Sequence, residues 1–254
     1  MHRSALRRTI LGLFLAVAFI VPASFAASQQ VTRTFPMNPN GSFDLSNVNG
    51  AIRIEGWDKN EIQVQALKST PEDSSLLDLV AIEIDMTPSG VSVSTRYPQE
   101  EGAEVTVDYV IHVPRHAQLM HVNTINGTLR VFSLDSPGEL HTVNGNIEVY
   151  ESSGNLHAHT TNGNIYVEWK GSGDQRGAFA ETTNGSVELA IPGDLPADLE
   201  ARCMNGSFSS ELPMVMTGAA QPRTVHGVLG RGGTPIRLAT VNGTIRVVVL
   251  RSTI

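Results

Sequence analysis

Three residues before successive Asn-Gly pairs the chain carries Asn123, His141, His159, Glu181 and Arg202. Histidine and carboxylate are the usual ligands of Zn²⁺. If the segments bearing them lie side by side as strands about 4.8 Å apart, His141, His159 and Glu181 can reach one ion, with His157 one strand pair away. These three are carried as candidate metal ligands beside the plainer reading adopted here, of exposed polar side chains that hold no metal and no cofactor.

Other chemistry is thinly represented. The sequence has no G-x-S-x-G elbow, H-E-x-x-H, phosphate loop or Cys-x-x-Cys, which lowers the expectation of the common enzyme classes. Glu148, Glu168 and Glu188 recur at near-regular spacing, as a solvated face would, although clustered carboxylates on such a face are also what a polysaccharide-cleaving enzyme needs. Phe132 and Tyr150, with Trp169 nearby, read either as a recognition strip or as packing under a loop. Arg130 and Glu148 are placed to pair across neighbouring segments. The lone Cys203 rules out an intramolecular disulfide and takes a position otherwise filled by Thr, as a small buried thiol.

The spacing itself points to the scaffold. Asn-Gly pairs occur at Asn49-Gly50, Asn126-Gly127, Asn144-Gly145, Asn162-Gly163, Asn184-Gly185, Asn205-Gly206 and Asn242-Gly243. From Asn126 the steps are 18, 18, 22, 21 and 37, the last divisible at His226-Gly227. A period near 20 signals a solenoid. The flanks repeat in register: Thr124, Thr142, Thr160, Thr182, Cys203 and Thr240 stand two before the Asn, and Leu129, Ile147, Ile165, Val187, Phe208 and Ile245 two after the Gly.

Both flanks alternate with the period of a strand, but the apolar phase shifts across each pair. The pairs are therefore read as corners between two strands, with Thr and Asn facing inward and Gly chosen for its tolerance of positive φ. Stacked coils place Thr on Thr and Asn on Asn, so that each Asn side chain can bond the next. The competing reading is a meander of type I′ hairpins, for which Asn-Gly is also the signal. Ser210 and Arg231 interrupt the apolar column, so less regular coils are expected at the C-terminal end, with loops at 217–222 and 231–235.

The division expected is a signal peptide over 1–26, an N-terminal β region over 27–118 and β-solenoid repeats over 119–254. The leader shows Arg3, Arg7 and Arg8, an apolar run from Ile10 to Val21, and small residues ending at Ala26. Losing it removes three Arg and no acid, taking the formal charge from −7 to −10. An acidic chain with only Lys59, Lys68 and Lys170 is poorly suited to nucleic acid, and no later stretch is long enough to span a membrane. Thr70-Pro71-Glu72-Asp73 predicts a short helix over 71–79. Strands are predicted over 81–86, 91–95 and 104–113.

The segments Thr124-Ile125-Asn126-Gly127-Thr128-Leu129-Arg130-Val131, Thr142-Val143-Asn144-Gly145-Asn146-Ile147-Glu148-Val149 and Thr160-Thr161-Asn162-Gly163-Asn164-Ile165-Tyr166-Val167, preceded by Val113-Pro114, resemble the repeats of the putative-adhesin family of bacterial exported domains. The resemblance covers nearly the whole chain after the leader, from about Phe35 to Val249, and implies a β-helix-like fold and an envelope or surface location, without a known activity. The expectation is an all-β chain, a single-stranded β-solenoid with an N-terminal cap and one short helix. It acts as an exported, non-catalytic binding or scaffold module for an envelope protein or glycan, located in the periplasm, at the outer surface or outside the cell. Its rivals are a polysaccharide-cleaving β-helix enzyme and a structural unit that assembles end to end.

Overall fold

The computed structural model describes residues 27–98, 104–135, 138–171, 177–217 and 223–251. The expected leader, most of the loop expected at 217–222 and part of the connection between the strands expected over 91–95 and 104–113 lie outside them. Alternating apolar residues make almost every described segment a strand: β1 (Ala27–Pro36), β2 (Ser42–Ser46), β3 (Ile52–Trp57), β4 (Glu61–Thr70), then helix α1 (Leu76–Leu79), β5 (Ala81–Thr87), β6 (Gly90–Arg96) and β7 (Thr106–Pro114). The repeat region follows as β8 (Gln118–Asn126), β9 (Leu129–Phe132), β10 (Gly138–Asn144), β11 (Ile147–Ser152), β12 (Leu156–Asn162), β13 (Ile165–Trp169), β14 (Ala178–Asn184) and β15 (Val187–Ile191). The chain ends with β16 (Ala197–Asn205), β17 (Phe208–Ser210), β18 (Val215–Met216), β19 (Thr224–Leu229), β20 (Thr234–Asn242) and β21 (Ile245–Val249).

Each Asn-Gly pair joins an entering strand to a leaving one. The entering strands form one sheet, in the order β18-β19-β16-β20-β14-β12-β10-β8-β2-β6-β5, and the leaving strands another, β1-β4-β7-β3-β9-β11-β13-β15-β21-β17. Within the repeats the pairing is parallel and in register, with Thr142 beside Thr124 and Thr160, and Ile147 beside Leu129 and Ile165. The sheets stay open rather than closing as a barrel, and their inner faces share one apolar core running from Met37 to Val247.

The order of coils in space departs from the order in sequence. β20 lies between β14 and β16, and β21 between β15 and β17. The coil that closes the chain is thus inserted beneath the one preceding it. His226-Gly227, expected to divide the long step, is no corner: it lies in β19, antiparallel to β16. The swap has a physical reason. β21 offers buried Ile245 and Val247 and pairs on both sides, whereas β17 has three residues and a half-exposed Phe208, suited to a short sheet edge that needs one partner.

The other end mirrors this. The Asn49-Gly50 coil of β2 and β3 stacks directly on β8 and β9, while the later strands β6 and β7 lie outside it. Residues 42–57 therefore continue the same stack as the repeats. Antiparallel β4 and β1 extend the leaving sheet beyond β7, and β5 extends the entering sheet beyond β6. The helix covers only Leu76–Leu79 instead of 71–79. Thr70 and Asp73 spend their side chains on turn bonds to Glu72 N and Ser75 N, which hold the chain in turns before the helix begins.

Two expectations about the corners change. Thr124, Thr142, Thr160, Thr182 and Thr240 are buried, but the Asn side chains from Asn126 to Asn242 stand exposed at the stack's edge. The glycines are required by close approach more than by φ. A Cβ on Gly127, Gly145, Gly163 or Gly185 would lie 1.9 to 2.0 Å from the carbonyl oxygen of the preceding corner glycine, and one on Gly206 1.6 Å from that of Gly243. A positive φ accompanies this only at Gly50, Gly185 and Gly243 among the corners.

Candidate functional site

In a parallel stack every outward position becomes a row along the stack, and two such rows on the entering sheet enclose a groove of about 510 Å³. The first row is Glu139, His157, Phe179, Arg237 and Glu200, partners in successive strands β10, β12, β14, β20 and β16. The second is Asn123, His141, His159, Glu181, Ala239 and Arg202. Leu140, Ala158, Ala180 and Leu238 complete the lining. Their side chains are buried in the core, so the floor is main chain already bonded within the sheet.

The walls are built from stacked and paired groups. His157 and Phe179 stack with centroids 4.5 Å apart, and the Arg237 guanidinium lies 5.5 Å from the Phe179 ring while 3.5 Å from Glu200. Opposite, the His141 and His159 rings are 5.2 Å apart, and His159 Nδ1 lies 3.9 Å from Glu181 Oε2. His121 continues the first row between Asp44 and Glu139, 3.3 Å from each. Burial, with His159 beside it, holds His141 below the ordinary histidine range. Ala239 is the one small outward side chain in the second row, and it leaves a notch between Glu181 and Arg202.

The three metal candidates are thus brought onto adjacent strands, as the spacing demanded. Among the described residues, however, no three His, Cys, Asp or Glu side chains converge closely enough to hold a metal ion. The Asn corners form a continuous amide ladder instead. Asn126 donates to Asn49, Asn144 to Asn126, Asn162 to Asn144, Asn184 to Asn162 and Asn242 to Asn184, each at 2.8 Å, and Asn205 donates to Asn242 at 2.9 Å. The first row of the groove is hidden in the linear sequence. Its signal is the residue five before each Asn, which becomes a continuous row only when the Asn242 coil is placed before the Asn205 coil.

The opposite sheet carries the aromatic strip in a different form. Phe132 stacks on Tyr150 at 5.0 Å, Tyr150 meets Tyr166 at 5.4 Å, and the Arg53 guanidinium lies 4.0 Å from the Phe132 ring. Tyr166, which is not among the residues expected in the strip, occupies the register position of Glu148 one coil on. Trp169, expected nearby, is fully buried, its indole N–H donating to Gly154 O at 2.9 Å. The Phe132 ring is taken by Tyr150 and Arg53, and Arg130 pairs with Glu148 at 2.8 Å. Phe132 and Tyr150 are engaged with one another, whereas the groove keeps open volume between its walls.

No curated protein matches the chain. Among solved structures, a putative cell adhesion protein from Clostridium sporogenes shares 11% identity, covering 87% of this chain and 99% of that one with a TM-score of 0.54. A putative adhesin from Bacteroides fragilis shares 12% identity over 86% of this chain and 97% of the other, with a TM-score of 0.36. The first likeness extends to the fold alone. The family model described as Toastrack DUF4097 matches residues 11–248, and the chain with its stacked Asn-Gly coils belongs to that family of bacterial proteins of unknown function.

Proposed function

We propose that this protein is an exported, non-catalytic binding module of the bacterial envelope, a single-stranded β-solenoid that lays a glycan chain along the groove of its entering sheet. One observation carries the reading: two rows of polar and aromatic side chains run parallel across a main-chain floor whose hydrogen bonds are already spent. A peptide gains no main-chain pairing there. A hydroxylated polymer, in contrast, finds donors in Arg202, Arg237 and the histidines, acceptors in Glu139, Glu181 and Glu200, and the Phe179 side chain beside them. The adhesion names carried by structural relatives agree with a binding role, and the Arg-rich, apolar, small-residue start of the chain supports export.

Binding is favoured over hydrolysis by the exposure of the acids. Glu139, Glu181 and Glu200 side chains are 60%, 67% and 45% exposed, each with a basic neighbour. A glycosidase acid needs a site that withholds water and raises its pKa.

A glycan array followed by calorimetry tests the proposal. Phe179→Ala and Arg202→Ala each weaken binding about tenfold, as central contacts do, while Tyr150→Ala on the opposite face leaves it unchanged. Absence of any saccharide ligand, or binding indifferent to both groove variants, overturns it.

A further inference from the structure

The Asn-Gly pairs share one sequence but not one environment. An asparagine followed by glycine can lose its side-chain amide when the glycine main-chain nitrogen attacks the Asn Cγ, and that attack needs a free N–H and a side chain able to turn. In six pairs the N–H is engaged: Gly50, Gly127, Gly145, Gly163, Gly185 and Gly243 each donate to the Asn carbonyl of the next coil, at 2.8 to 3.1 Å. Gly206 belongs to the outermost coil, and its N–H meets no acceptor among the described residues. Asn205 and Gly206 are both exposed to water.

The side chains differ in the same way. Asn126, Asn144, Asn162, Asn184 and Asn242 are each held in the ladder by both amide atoms, whereas Asn205 donates to Asn242 and receives nothing. Asn49, at the other end, also makes a single ladder bond. It differs from Asn205 in two ways: its glycine nitrogen is bonded, to Asn126 O at 2.8 Å, and the pair is shielded, with Asn49 half-buried and Gly50 buried.

We infer that Asn205-Gly206 is a self-modification site, the pair at which the folded protein deamidates while the other six are protected by the stack. The Gly206 nitrogen gives its proton to solvent base and bonds to Asn205 Cγ. The bond from Cγ to the side-chain nitrogen breaks and ammonia leaves, so that a five-membered succinimide closes. Water then opens the ring at either carbonyl, giving aspartate or an isoaspartyl link. The donor to Asn242 Oδ1 is lost and an anion faces that oxygen, while the isoaspartyl form adds a methylene to the main chain ahead of β17. Either product loosens the outermost coil and unshields Cys203, two residues away.

The purified full chain, aged folded in mildly alkaline buffer and mapped by peptide mass spectrometry, tests this. Deamidation at Asn205 is expected at least about tenfold faster than at Asn144, Asn162 or Asn49, because each of those must first break a main-chain hydrogen bond. The preference disappears in urea, where all seven pairs are equivalent. In Asn205→Asp, thiol labelling of native Cys203 is faster than in the unmodified chain. Equal rates at Asn49 and Asn205, faster loss at an internal pair, or a preference for Asn205 that survives in urea overturns the inference.

Discussion

The Thr142 hydroxyl donates to the carbonyl oxygen of Gly127, 3.0 Å away on the preceding coil. The same bond recurs from Thr160 to Gly145, Thr182 to Gly163 and Thr240 to Gly185, at 2.8 to 2.9 Å. It explains why the inward column uses threonine where valine would fill the space. The corner turns its glycine carbonyl toward the core, and a buried carbonyl without a donor is costly.

Thr160→Val keeps the shape and removes the donor. An expected loss of about 1 to 3 kcal/mol follows from leaving the Gly145 carbonyl unpaired, read as a lowered urea midpoint. Thr160→Ser retains the bond and recovers part of the difference.

Gly145→Ala forces a Cβ to within 2.0 Å of the Gly127 oxygen, so the two coils must separate. The expected cost is about 2 kcal/mol or more, roughly 4 to 8 °C in Tm. At Gly193 the nearest atoms to an added Cβ are at 3.8 Å, and Gly193→Ala is expected to fall within about 0.5 kcal/mol of the parent.

Acid weakens the fold through His141. Its pKa is held below the unfolded value of about 6.5 by burial first and by His159 second. Between its folded pKa and that value the unfolded chain binds the extra proton, so the stability is present above the window and lost as pH falls through it. Urea titrations at neutral and mildly acidic pH are expected to show a smaller acid loss for His141→Gln than for the parent.

Burial raises the Cys203 thiol pKa, leaving little thiolate near neutral pH. Native protein is expected to react slowly with a thiol reagent and unfolded protein rapidly; fast native labelling contradicts the inward placement of this column.

Much of the stack was legible because a repeat writes its geometry many times over. The phase shift across each Asn-Gly pair locates the corner, and Thr142 over Thr160 or Arg130 beside Glu148 follow from register alone. What the sequence hid is non-local. That the Asn242 coil sits beneath the Asn205 coil depends on which exit strand, β17 or β21, can pair on both sides, a comparison of energies that local pattern does not express. The groove suffered most, since Arg237 joins His157 and Phe179 only after the coils are reordered. Residues 42–57 read as part of the N-terminal region because the long excursion through β4 to β7 separates them in sequence from the repeats they stack on. Strict alternation predicts an inward Asn, but at the corner the strand has ended and the side chain stands at the stack's edge.

Cysteine cross-linking in a Cys203→Ser background reads the order of the coils. Glu188 is the strand partner of Arg246, and Arg246 is in turn the partner of Ser209, so Glu188 and Ser209 are two strand spacings, about 9.6 Å, apart, beyond disulfide reach. The Glu188→Cys, Arg246→Cys pair is expected to oxidise to a disulfide in the folded protein, and the Glu188→Cys, Ser209→Cys pair is expected to stay reduced. Cross-linking of the second pair and not the first would contradict that order.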